Sequence, residues 1–541
     1  MQSLEFDYII VGAGSAGCVL ADRLTRCGKF SVLLLESGGS DARFWVKVPI
    51  GYAINVNKPA VNWGYRTLPD PGLNARRVNW PRGRLIGGSS SINAMAYVRG
   101  LAHDFDDWAA AGATGWGWDN VRKVYERLET CQELTDDGVQ MRGDGPVWVS
   151  ELSNQMSPFS KNFLRAADEV GHGTIADLNT PGAEGIGYYR STVRGGVRWS
   201  AADAFLRPAL KRANLTLMCK AEVSQLACDG PKVSGVNFSR DGKAYVAKAR
   251  QEVILSAGAV NSPKLLQLSG FGPQELLRNN GIKVHRHLPQ VGQGLQDHLA
   301  VSYQFLAEAR TLNHFLGRFV GKMRAGLTYV LTRKGALAVP VNQVGGFVRS
   351  DGAADAPDIQ LYFNPISYSA SPTGKTIVDR PSGYQISAQP CRPTSTGRIE
   401  IASASPKDAP HIIPNSLSTT QDQMLAVAAA KMLQKYAKTQ SLRKVTKKAK
   451  APDLLAMDDS TLLEDFRNRA STVYHPTCTC RMGATDADSV LDTRLRVHGV
   501  PGLRVVDASA FPNITSGNTN APTMMLAMRA ADLILEDAAR V

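Results

Sequence analysis

The sequence has no run of about 18 consecutive uncharged apolar residues, the length a membrane-spanning helix needs, so no segment is expected to cross a bilayer. Cysteine is scarce. Eight cysteines in 541 residues, at positions 18, 27, 131, 219, 228, 391, 478 and 480, exclude a disulfide framework and fit a reducing compartment. The opening MQSLEFDYIIVGAGSAGCVL carries acids where a secretory leader carries positive charge, and glycines interrupt its apolar run. A cytoplasmic location is therefore expected. Internal repeats, low-complexity tracts and nucleic-acid-binding motifs are absent from the sequence as well. With 43% hydrophobic and 20% charged residues the chain lacks the composition of disorder, and its length predicts two or three domains.

Acids are outnumbered, 48 Asp and Glu against 62 Lys and Arg, for a net charge of +14. Much of the excess is local: residues 431–450, KMLQKYAKTQSLRKVTKKAK, hold eight cations and no acid. The plain reading is a solvated helix end and loop. The functional alternative is peripheral contact with an anionic inner membrane face or an acidic electron acceptor.

What the chain does have starts at its N-terminus. FDYIIVGAGSAGCVLADRL reads as strand, turn and helix, with Gly12, Gly14 and Gly17 around Ser15 and Ala16. Gly12 permits the tight turn, Gly14 admits a pyrophosphate to the backbone, and Gly17 lets helix and strand approach closely. A second apolar run, SVLLLESGG, ends in Glu36 and Ser37. An acid about 20 residues past the glycines is placed to bind a ribose 2′-OH, which argues against NADP. The pattern leaves FAD and NAD both open.

Five further stretches resemble the glucose-methanol-choline (GMC) family of FAD-dependent oxidoreductases, in the family's order: NWPRGRLIGGSSSINAMAYVRGLAHDFDDW (79–108), VILSAGAVNSPKLLQLSGFGP (253–273), VGQGLQDHL (291–299), VYHPTCTCRMG, and VVDASAFPNITSGNTNAPTMMLAMRAADLIL. The likeness is greatest to the bacterial branch of choline dehydrogenases and aliphatic alcohol dehydrogenases. It implies FAD rather than NAD, and an α/β (α+β overall) fold in which a Rossmann-like FAD-binding domain joins a discontinuous substrate domain built on an antiparallel sheet. The expected boundaries are 1–149, 205–300 and 461–541 for the FAD-binding domain, and 150–204 and 301–460 for the substrate domain.

Gly87 and Gly88, with the serines that follow, supply a flexible loop rich in donors. By resemblance, Arg84, Gly87, Gly88 and Ser89 wrap the cofactor, while Asn93, Ala94, Met95 and Ala96 run beside the isoalloxazine. Some relatives carry a histidine bonded covalently to the flavin where this chain has Ile92, so the FAD is expected to be noncovalent. Val223 corresponds to a residue whose backbone meets adenine, and Ala257 lies near the adenosine half. Asp507, Ala508 and Thr519 precede the last helix, whose N-terminus is expected to favour the anionic reduced flavin. Tyr474 is expected near the flavin ring.

Three readings compete for STVYHPTCTCRMG (471–483): metal site, redox pair, or catalytic base beside bystander thiols. Metal lacks a fourth ligand at a recognisable spacing, and the CxC has no second redox signal beside it. The resemblance makes His475 the base and Asn518 the residue that holds the substrate oxygen. Residues such as those in PDIQLYFNPISYS and GYQISAQPCRPTSTGRIEIASA alternate in polarity, which predicts antiparallel strands with one solvated face. Choline-active relatives commonly carry a glutamate just before the GGF triplet; the corresponding residue is Gln343, so choline is disfavoured. Tyr362 and Asn364 are further candidates for the substrate cavity. The expected function is FAD-dependent oxidation of a primary alcohol to the aldehyde, with electrons passing to a quinone or other acceptor. An oxidase using dioxygen and a non-catalytic flavin-binding interaction protein remain as alternatives, and neither nucleic acid nor metal is expected.

Overall fold

A computed structural model describes residues 2–352, 354–370 and 376–540. The apolar runs at the N-terminus form buried parallel strands, as continuous hydrophobic stretches covered on both faces should. Five strands run parallel in the order Leu215–Cys219, Val32–Glu36, Gln2–Val11, Lys243–Leu255, Leu503–Val505. Numbered along the chain this is 3-2-1-4-5, the doubly wound order. The direction of winding reverses between Gln2–Val11 and Lys243–Leu255, and ligands enter such sheets at the C-terminal strand ends beside that reversal. Lys232–Arg240 and Ala221–Asp229 add an antiparallel extension. Helix Ser15–Thr25 follows the first strand, Gly258–Leu268 follows the fourth, and the long Asn520–Ala538 packs on the first of these helices.

The second large sheet is antiparallel throughout, in the order Thr446–Ala449, Leu299–Ala307, Gly383–Pro390, Ile359–Asn364, Val344–Val348, Gly185–Tyr188, with Ser471–Thr472 also on Leu299–Ala307. Alternation of its side chains is clean. Tyr303, Phe305, Leu361, Phe363, Tyr384 and Ile386 face a core shared with Phe163 and Tyr436 of helices Lys161–Val170 and Thr420–Lys438. The intervening Ser302, Gln304, Tyr362, Asn364, Gln385 and Ser387 face a cavity between the two sheets. The expectation of a solvated face is corrected accordingly. Tyr362, Asn364, Gln385 and Ser387 are buried, and the polar groups satisfy one another: Ser302 and Ser387 hydroxyls lie 2.8 Å apart and Gln385 Nε2 donates to Ser387 Oγ at 3.0 Å. Among the described residues no helix is long and apolar enough to cross a membrane.

Candidate active site

A cavity of about 840 Å³ runs from the C-terminal ends of the parallel strands to the polar face of the antiparallel sheet. At the first strand's end, Gly12 has φ +103° and Gly17 packs so tightly that a Cβ there would overlap the Gly12 carbonyl. Gly14 differs. A Cβ on it would meet only the Ser256 carbonyl oxygen, at 3.9 Å, so the turn presents bare backbone to the cavity. Ser15 Oγ donates to Asn520 Oδ1 at 2.7 Å, tying the start of helix Ser15–Thr25 to the start of helix Asn520–Ala538. Two helix N-termini therefore converge on one wall, an arrangement that favours an anion.

Glu36 ends the second strand and is buried. Its Oε2 accepts the Ala13 N–H at 3.0 Å and its Oε1 the Gly38 N–H at 2.7 Å, while burial pushes the carboxyl up to about 7. Asp507 follows the fifth strand. Its Oδ2 accepts from Gly258 N–H (2.9 Å) and Ser262 O–H (2.6 Å), and its Oδ1 from Ser509 N–H and O–H. Asp507 thus fastens helix Gly258–Leu268 to the last parallel strand, and burial raises its pKa. A bare glycine turn, converging helix starts and an acid at the second strand's end fit the pyrophosphate and ribose of a dinucleotide.

At the other end, the 473–482 loop is laced between two segments distant in sequence. Val473 N–H donates to the His298 carbonyl, Thr477 N–H to Gln296, Cys478 N–H to Ala508 and Cys480 N–H to Ser509. Tyr474 adopts φ +73°, and the His475 N–H donates to Asp297 Oδ1 at 2.8 Å. Arg82 donates to the Tyr474 carbonyl at 2.7 Å. The backbone at His475 is therefore held from both sides.

The histidine ring is held by a relay whose proton positions follow from its acceptors. His298 Nε2 lies 2.7 Å from the Cys391 carbonyl, which only accepts, so that nitrogen carries a proton. Burial lowers the pKa of His298 to about 4, keeping it neutral and leaving Nδ1 bare. His475 Nδ1, 3.0 Å from that bare nitrogen, must then carry the proton. His475 itself is held well below its usual pKa by burial, and secondarily by His298 and Arg82. Its Nε2 is consequently an unprotonated acceptor, and Asn518 Nδ2 lies 3.1 Å from it. An acceptor and a donor meet on the cavity wall, the pair needed to take a hydroxyl proton and hold the oxygen it leaves.

Residues 6–300 and 393–527 match the two family profiles described as GMC oxidoreductase. The chain belongs to the GMC oxidoreductase family. It is 40% identical to the alcohol dehydrogenase [acceptor] of Pseudomonas putida over 533 residues, covering 98% of this chain and 96% of that protein. The oxygen-dependent choline dehydrogenase of Vibrio vulnificus is 40% identical over 535 residues, 98% and 94% of the two chains. Pyridoxine 4-oxidase from Mesorbium loti superposes with a TM-score of 0.86 at 28% identity, covering 97% of this chain and 98% of its own. GMC oxidoreductases are FAD-dependent, so the dinucleotide is FAD.

In this GMC oxidoreductase the cavity is lined by Gly12, Gly14, Ser15, Ala16, Glu36, Ser37, Gly88, Ser89, Asn93, Ala94, Met95, Ala96, Val223, Ala257, Tyr474, Asp507, Ala508 and Thr519, together with His475, Asn518, Tyr362 and Asn364. Four expected residues lie outside the lining. Gly17 packs helix on strand, and Gly87 at φ +83° turns the loop behind Gly88. Arg84 stacks over the Trp63 ring, 4.5 Å from its centroid, and pairs with Glu222, so it supports two lining residues without joining them. Gln343 is the clearest correction. It is fully buried away from the cavity, its Oε1 accepting from Ser157 N–H and Ser160 O–H at 2.9 Å, so the amide just before strand Val344–Val348 is tied to the 157–160 turn. Cys478 and Cys480 sit in the core of the parallel sheet, their thiols pushed up by burial. His298, Asp297 and Arg82 were not singled out by sequence reasoning, although all three stand within family motifs, in VGQGLQDHL and NWPRGRLIGG.

Proposed function

We propose that this GMC oxidoreductase oxidises a neutral primary alcohol to the aldehyde. The observation that carries the reading is the relay from the Cys391 carbonyl through His298, which leaves His475 Nε2 unprotonated 3.1 Å from Asn518 Nδ2. His475 takes the hydroxyl proton and Asn518 donates to the oxygen as alkoxide character develops. Bound FAD supplies the acceptor for the hydride that leaves the carbinol carbon. Glu36, the Gly14 turn and the two helix starts hold its adenosine and pyrophosphate, and Ile92, a hydrocarbon lining residue, leaves the flavin noncovalent.

Neutral substrates are favoured by the charge of the wall. Among the described residues, carboxylates line the cavity only at Glu36, Glu222 and Asp507, all on the dinucleotide side. The substrate side offers Ser302, Gln304, Asn364, Gln385 and Ser387; of the guanidiniums there, Arg469 is engaged by Asp465 and Arg82 donates to the Tyr474 carbonyl. A quaternary ammonium would find no anion. Likeness to an acceptor-linked alcohol dehydrogenase favours a quinone or similar carrier as the electron acceptor.

Anaerobic mixing of the FAD-loaded protein with neutral alcohols and with choline tests the assignment by bleaching of the flavin. Neutral alcohols should bleach it faster than choline, and His475→Ala should slow bleaching by ~10²–10⁴-fold with the flavin retained. Bleaching by His475→Ala at the wild-type rate, or a preference for choline, would sink the reading. Admitting air afterwards separates the acceptors: rapid reoxidation with stoichiometric peroxide assigns dioxygen. A flavin that no alcohol bleaches assigns a non-catalytic role.

A further inference from the structure

Helix Phe319–Thr332 is amphipathic with its faces reversed. Its small and polar side holds the buried contacts, through Ala325 and Tyr329. Phe319, Val320, Met323, Leu327, Val330 and Leu331 point to solvent, from 57% to 76% exposed. At 100° per residue these six fall on one arc of roughly 120°, opposite the buried pair. Scattered exposed apolar residues need no explanation, but a contiguous helical stripe of six does.

The charge around the stripe is of one sign. From residue 309 to 350 the chain contains no Asp or Glu, while Lys322 and Arg324 lie within the helix and Arg318, Arg333 and Lys334 at its ends. All five are exposed, and among the described residues none of them forms an ion pair. An exposed apolar face bordered by unpaired cations has the chemistry of a helix lying in the headgroup region of an anionic bilayer. Fourteen residues make about 21 Å of helix, too short to span the hydrocarbon core and suited to lie along it. A second copy of this chain is a poorer occupant. Two-fold symmetry sets the same surface against itself, bringing the two cation borders together with no acid to offset them.

We propose that helix Phe319–Thr332 docks this protein on anionic lipid membranes, inserting the six apolar side chains while the flanking Lys and Arg bind lipid phosphates. The contact lies on a different element from the basic run 431–450. There Met432, Leu433, Tyr436 and Leu442 are buried, Lys431 pairs with Asp459 and Lys450 with Asp379, leaving cations without an apolar face to insert. Docking also has a place in the reaction. Ala325 and Tyr329 pack into the apolar cluster that includes Tyr52 and Tyr368, and both tyrosines line the active-site cavity. A lipid-dissolved electron acceptor would be concentrated beside that wall.

The test is flotation of the full-length, FAD-loaded protein with vesicles of phosphatidylcholine alone or with an equal part of phosphatidylglycerol. Wild type should float with the anionic vesicles and much less with the neutral ones. Met323→Glu combined with Leu327→Glu should weaken that partitioning on the order of a hundredfold or more, since each buried side chain is worth roughly a factor of ten. Flavin absorbance and melting temperature should be unchanged in the double variant, which separates lost docking from lost folding and from any failure of the alcohol assignment. Wild-type protein that stays with the unbound fraction, or a double variant that floats equally well, overturns the proposal. A wild-type dimer dispersed by the same substitutions, with no flotation, assigns the face to a second copy and likewise overturns it.

Discussion

The proton on His475 is placed by a carbonyl that lies beyond the ring it controls. Cys391 C=O accepts a hydrogen bond from His298 Nε2–H, and His298 Nδ1 in turn accepts one from His475 Nδ1–H. Removing the middle member should therefore act through His475. His298→Ala is expected to lower kcat on the order of 10–100-fold, as loss of an orienting partner typically does, with little change in KM. His298→Gln should recover most of the rate, because an amide both donates to the carbonyl and accepts from His475. The pH profile supplies a second readout. With the His475 pKa depressed below 6.5, the base is unprotonated and kcat/KM should be flat above about pH 6.5, falling only in acid. His298→Ala removes the acceptor of the His475 Nδ1 proton, so the fall in rate should hold across the whole plateau above pH 6.5; a loss confined to acid would show that His298 acts on the titration of His475 and not on its orientation. His475 was legible in the sequence through its motif. His298 was not, although it lay in a quoted stretch, because a hydrogen bond between residues 177 positions apart has no local signature.

The glycine turn is the element that sequence describes best, since its constraints are local. Gly17 sits five residues after Gly12, in the first turn of the helix, and the overlap that a Cβ would create is with the Gly12 carbonyl. Gly17→Ala is expected to push helix Ser15–Thr25 off the first strand, costing about 1–3 kcal/mol and emptying the site of flavin. The flavin-to-protein absorbance ratio of the purified variant checks this, and full flavin content would contradict it. The antiparallel strands show the opposite case. Alternation in QLYFN and YQISAQ announced two faces of different polarity, and the strands do alternate. Which medium the polar face meets was not in the pattern. Serines and glutamines are equally compatible with bulk water and with a polar cavity whose groups satisfy one another. Gln343 failed for a related reason, since its place before GGF says nothing of which way a residue at the start of a strand turns.

At the scale of the molecule, the cavity proposed to hold FAD is a meeting of chain segments near 12, 36, 88, 257, 475, 507 and 519. FAD should stabilise their joint arrangement by about 4 kcal/mol at a thousandfold excess over its Kd. Stripping the flavin should therefore lower the melting temperature, and FAD but not NAD should restore it; calorimetry of the apoprotein with each nucleotide is the check, and equal rescue by NAD would contradict the assignment. Sequence by itself determined the dinucleotide motif, the family, the cofactor and the two residues proposed for chemistry, because each rests on spacing along the chain or on motifs in a fixed order. Tertiary structure alone decided the 3-2-1-4-5 strand order, the tautomer of His475, the lack of carboxylates beside His475 in the cavity lining among the described residues, and the outward apolar stripe of helix Phe319–Thr332. These depend on which surfaces meet, and burial of one face against another is a property of contacts between distant segments.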